Sequence, residues 1–99
     1  MASKYPTLEL VGIVLTPTNN GGFAPKEPIS VHSWRIGKHT KGKFNAPGQL
    51  FLTENQQTVV IVETRPLKFN LRHDITPMSR FLTTTLDADT FKMILHKIN

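Results

Sequence analysis

Three features of the sequence predict a mainly β fold, an α+β chain with a single helix at its end. Val59-Val60-Ile61-Val62 is a run of β-branched residues of the kind that buries as a strand. Apolar residues elsewhere recur with a period of two, as Leu67, Phe69 and Leu71 do between Lys68, Asn70 and Arg72. Only the last dozen or so residues repeat with a helical period. Together these predict about five antiparallel strands, forming an OB-like barrel or a curved sheet, with one carboxyl-terminal helix. The 99 residues are expected to form one small β domain, 1–99. A content of 38% hydrophobic residues supplies one core, and 19% charged residues is too little charge for a disordered chain.

Residues 1–6 are expected to be a loose tail, with no signal-type apolar block behind them. The first strand is predicted over Thr7–Leu15. Leu8, Leu10, Gly12 and Val14 fall on one face, and Glu9, Val11, Ile13 and Leu15 on the other. Both faces are apolar beyond Glu9, which marks a central or barrel-forming strand, and Gly12 suits a bulge or a sharp coil. Residues 16–28 carry Pro17, Pro25, Pro28, Gly21 and Gly22, and are expected to be a long loop. No helix start or lysine follows Asn20-Gly21-Gly22 at phosphate-loop spacing.

The second strand is predicted over Ile29–Lys38, with Ser30, His32, Trp34 and Ile36 on one face and Ile29, Val31, Ser33 and Arg35 on the other. Neither face is cleanly apolar, so one is expected to meet solvent or a ligand. A basic loop follows to Gly48, then a hairpin of Gln49–Thr53 and Thr58–Arg65 around Glu54-Asn55-Gln56-Gln57. Leu67–Leu71 is expected to be a half-buried strand with a basic outer face, and Arg80–Thr85 a short last strand. Asp87 is placed to cap a helix over Ala88–Ile98, so the helical unit spans 87–98. Phe91, Ile94, Leu95 and Ile98 form its apolar stripe, which must dock on the sheet or on another subunit.

Charge is unevenly distributed. The net charge is +5, yet residues 1–50 hold six bases against two acids and residues 51–99 six against five. Between Glu27 and Glu54 there is no acid, while Arg35, Lys38, Lys41 and Lys43 follow the only Trp. Single-stranded nucleic acid is bound by cations along its backbone and by aromatic faces that stack on bases. The expected function is therefore sequence-tolerant binding of single-stranded DNA or RNA, with DNA the first candidate. Arg35, Lys38, Lys41 and Lys43 would meet phosphates, Trp34 and Phe44 would stack, and Lys68 and Arg72 would extend the path.

Other chemistries find less support. The chain has no Cys, and His32 and His39 lie seven apart, wider than a zinc-ligand pair, so neither a metal nor another cofactor is expected. No catalytic spacing appears, so no catalytic residue is assigned and the chain is not read as an enzyme. Arg65 or Arg72 with Asp74 is the pair a small ribonuclease or toxin would use, and that reading stands behind the binding one. A second alternative is a phage- or plasmid-type accessory module contacting another protein through residues such as Met93. No apolar run is long enough to span a bilayer, so no membrane partner and a cytoplasmic, intracellular location are expected.

The segment Thr83–Ile98 and the stretch Trp34-Arg35-Ile36-Gly37-Lys38 resemble the end and the opening strand of the positive-cofactor-four and Whirly-type single-stranded-DNA-binding domains. The likeness covers about a third of the chain, in the helix and one strand, while the first strand and the long loop depart from that domain. The resemblance implies a homodimer that binds single strands across paired sheets, with helices at the dimer interface.

Overall fold

A computed structural model describes residues 8–36, 46–66 and 80–98. It is a single antiparallel sheet of six strands with one helix: β1 Leu8–Pro17, β2 Phe23–Pro25, β3 Val31–Ile36, β4 Gln49–Leu52, β5 Thr58–Pro66, β6 Arg80–Thr85 and α1 Ala88–Ile98. The sheet runs β2-β1-β5-β4-β6, and β3 pairs with β1 as well. β2 takes Leu15–Pro17 and β3 takes Leu8–Ile13, so the two lie end to end along the edge of β1 opposite β5. The mainly β class, the hairpin of β4 and β5, the last strand and the helix agree with the sequence expectation. The sheet is open, and the curved sheet rather than a closed barrel is the form it takes.

One expectation needs correction. Residues 16–28 are not all loop, because Phe23–Pro25 pairs back onto Leu15–Pro17 as β2. The turn that allows it is fixed by Thr18, whose carbonyl accepts from Gly21 N and whose Oγ1 accepts from Gly22 N at 3.1 Å. Gly21 takes φ 84°, a conformation that suits glycine. Pro25 is the last residue of β2, on the edge of the sheet, and Pro17 the last of β1, positions where a missing N–H costs little. Leu67–Leu71, also expected as a strand, lies outside the described residues.

β1 is the central strand, buried on both faces as its sequence demands. Leu10 packs with Phe51, Val59 and Ile61 on one face, and Ile13 and Leu15 pack with Leu50, Val60 and Ile94 on the other. The first face is concave. Phe51 is three strand intervals from Trp34 of β3, about 14 Å in a flat sheet at about 4.8 Å per interval. Their ring centroids are only 5.4 Å apart, so the sheet must curl to bring them together. Gly12 permits the curl: a Cβ there would lie 2.6 Å from the Val60 carbonyl oxygen. The β1–β5 register slips at the same point, with Val11 opposite Glu63 and Gly12 opposite Ile61, leaving Val62 as the extra residue of a bulge.

The helix closes the other face. Asp87 Oδ2 accepts from Thr90 N at 3.0 Å and from Thr90 Oγ1 at 3.1 Å, which caps the first turn as expected. Ile94 is fully buried, with Phe91 and Ile98 packed into the same cluster as Ile29 and Leu82. A Pro47-Gly48 turn leads into β4; Gly48 takes φ 91° and Gln49 N bonds Ala46 O at 3.1 Å, as a type II turn requires. Among the described residues no helix is long and apolar enough to cross a membrane.

A candidate nucleic-acid interface on the concave face

The β1–β3 register sets His32 opposite Gly12 and Trp34 opposite Leu10, on the concave side. Period-two alternation alone predicts that His32 and Trp34 share a face, and they do. The indole of Trp34 meets the buried Phe51 ring edge-on, at 86° between planes. The His32 ring lies beside the indole, with centroids 6.0 Å apart and planes tilted by 55°. Phe51 in turn packs against Phe81 of β6 at 5.8 Å, so an aromatic row crosses the concave face from one border of the sheet to the other.

Trp34 is partly buried and its remaining surface opens into a cleft of about 350 Å³. Val14 and Pro28 supply apolar wall, and Lys26, Glu27, Ser30, His32 and Gln57 supply polar groups. Lys26 is anchored through its backbone N to the Val14 carbonyl at 3.0 Å. Ser30 Oγ and His32 Nε2 are hydrogen-bonded at 3.1 Å, which orients the imidazole. A flat aromatic wall beside a cation and several hydrogen-bonding groups can hold a planar, anionic ligand. The volume falls near the small end of ligand sites, about 300–1,000 Å³.

Of the sequence-predicted contacts, Trp34 is in the cleft. Arg35 lies in β3 with its backbone opposite Glu9. Lys38, Lys41, Lys43, Phe44, Lys68 and Arg72 lie outside the described residues. Sequence reasoning missed Lys26, Glu27 and Gln57, which reach the cleft from a loop and a hairpin with no periodicity to announce them. Asp74 and Arg72 of the ribonuclease pair also lie outside the described residues, while Arg65 is held by carboxylates. Its Nε and Nη2 donate to the two Glu63 oxygens at 3.0 and 3.2 Å, and its Nη1 is 3.7 Å from Glu9 Oε1. The hydrogen bond from Arg65 holds the Glu63 carboxyl below the usual carboxylate range.

A second hollow, about 610 Å³, lies between the Thr18–Phe23 turn and the start of α1. Among the described residues no cation lines it, and Asp87, which caps α1, does, so those residues do not suit an anion. Among the described residues no three His, Asp or Glu side chains gather as a metal site.

The model of a family of unknown function (DUF7671) matches residues 2–95. The chain belongs to that family. No curated protein and no solved structure matches it. The match spans every strand and all but the last turn of α1, so family membership attaches to the whole sheet that carries the Trp34 cleft.

Proposed function

We propose that this DUF7671 chain binds single-stranded nucleic acid, with DNA as the first candidate and without sequence preference. The observation that carries the reading is Trp34, braced from behind by Phe51 and open in front to a cleft holding Lys26 and His32. A braced indole loses little freedom on stacking, and base–aromatic stacking is worth about 1–3 kcal/mol per base. The basic run from Arg35 to Lys43 follows directly along the chain and supplies phosphate contacts, with Lys68 and Arg72 extending the path. A cytoplasmic, intracellular location goes with such a ligand.

A fluorescent oligothymidylate should bind with micromolar or better affinity and weaken steeply with salt, as counterion release demands. Trp34→Phe, which keeps a ring against Phe51, should weaken binding about three- to tenfold by stacking on less surface. Absence of binding at low salt would sink the proposal. Capture of one stoichiometric protein, insensitive to nuclease, would favour the protein-contact alternative instead.

A further inference from the structure

Among the described residues the cleft contains one acid. Glu27 lines it beside Lys26, so these two neighbours alone would leave it without net charge. A third group alters that balance from an unexpected direction. α1 packs on the opposite face of the sheet, but its last turn reaches the border where Ile29 and Ile98 share one cluster. There Lys97 Nζ lies 4.0 Å from Glu27 Oε2. Both side chains are largely exposed, so the pair adds little to stability. Its electrostatic effect does not need tight contact, because charges are felt within about 8 Å at physiological salt.

We propose that Lys97 is a positioning residue for the cleft: by cancelling Glu27 it leaves Lys26 uncompensated and makes the Trp34 cleft anion-selective. The inference rests on the cleft as the binding site and names the ligand feature it selects, a phosphate next to an unpaired base. His32, the other titratable group of the lining, is held by Ser30 and adds no negative charge. Lys97 itself does not line the cleft, so it acts there by offsetting the field of Glu27 and not by touching the ligand.

The single Trp makes the local field measurable without any nucleic acid. Quenching of Trp34 fluorescence by iodide, divided by quenching by caesium, reports the sign of the potential beside the indole. Lys97→Ala should lower that ratio about twofold, the order expected for removing one solvent-screened charge near the cleft. Glu27→Gln should raise it, and the double variant, which loses one charge of each sign, should return close to the wild-type ratio. Oligothymidylate affinity should follow the same order. A ratio unmoved by either single variant overturns the proposal whatever the oligonucleotide does. So does a Lys97→Ala loss of affinity far larger than the change in the quenching ratio, since Lys97 would then touch the phosphate itself. If the ratio moves as expected and wild-type protein binds no oligonucleotide, the anion-selective cleft stands and the nucleic-acid reading falls. Both substitutions are at exposed side chains, and circular dichroism of each variant confirms that the fold is kept.

Discussion

Single residues set the geometry of this fold more than their chemistry suggests. Gly12 matters for what it lacks: a methyl group there would meet the Val60 carbonyl oxygen at 2.6 Å and Val59 Cγ1 at 2.7 Å. Backbone cannot swing aside as a flexible side chain can, so Gly12→Ala should cost about 1–3 kcal/mol in urea denaturation. Gln56 is the converse case, a side-chain-bearing residue at φ 65° in the β4–β5 turn. Its N bonds Thr53 O at 2.8 Å, and Thr53 Oγ1 accepts from Gln57 N at 3.0 Å, so the turn holds the strain. Gln56→Gly should stabilise by about 0.5–1 kcal/mol, the left-handed penalty less the glycine entropy cost. At the sheet surface, Arg65→Gln should return the Glu63 carboxyl to an ordinary glutamate titration, followed by NMR. The folded form has the lower value, so what the ion pair contributes is present at neutral pH and fades as pH falls through that value. The Glu63 side chain is exposed to solvent, and this loss should be small.

At the level of elements, what could be read beforehand was what depends on local pattern. The helix was legible because Asp87 and the Phe91, Ile94, Leu95, Ile98 spacing specify its start and its buried side together. Asp87→Ala removes acceptors for both Thr90 N and Thr90 Oγ1, and should cost about 1 kcal/mol in thermal or chemical denaturation. β2 was not legible, since three residues that follow a Gly-Gly turn and end in proline become a strand only when Leu15–Pro17 is there to pair with. The β4–β6 register was equally hidden. Gln49 pairs with Thr85 and Phe51 with Phe81, so two extra residues bulge from β6. The buried Gln49 amide answers the bulge by donating to the Leu82 and Leu50 carbonyls. A lone Gln in an apolar hairpin gives no sign of that role from sequence. Gln49→Leu, close in volume, should cost about 1–3 kcal/mol by leaving the Leu82 carbonyl unsatisfied.

For the whole molecule, alternation along β1 and β3 told which residues share a face, but not that the face is concave. Curvature arises from a bulge and a glycine on paired strands that are distant in sequence, and with it comes the meeting of Trp34 and Phe51 across three intervals. The cleft follows from that curl, because a flat sheet would leave Trp34 far from the β4–β5 hairpin that brings Gln57 to it. The position of β1 also bears on how the chain reaches this state. Its long pairing joins residues 8–15 to residues 58–66, with about half the chain between them. Closing so large a loop has to precede most of the reward, which places folding in the millisecond-to-second range of topologically complex domains. During synthesis the first strand must wait, apolar on both sides, until β5 has left the ribosome. That delay makes the amino-terminal third the segment most exposed to premature self-association. Stopped-flow refolding followed by Trp34 fluorescence should show a slow main phase, and an amino-terminal fragment ending before residue 58 should aggregate rather than fold.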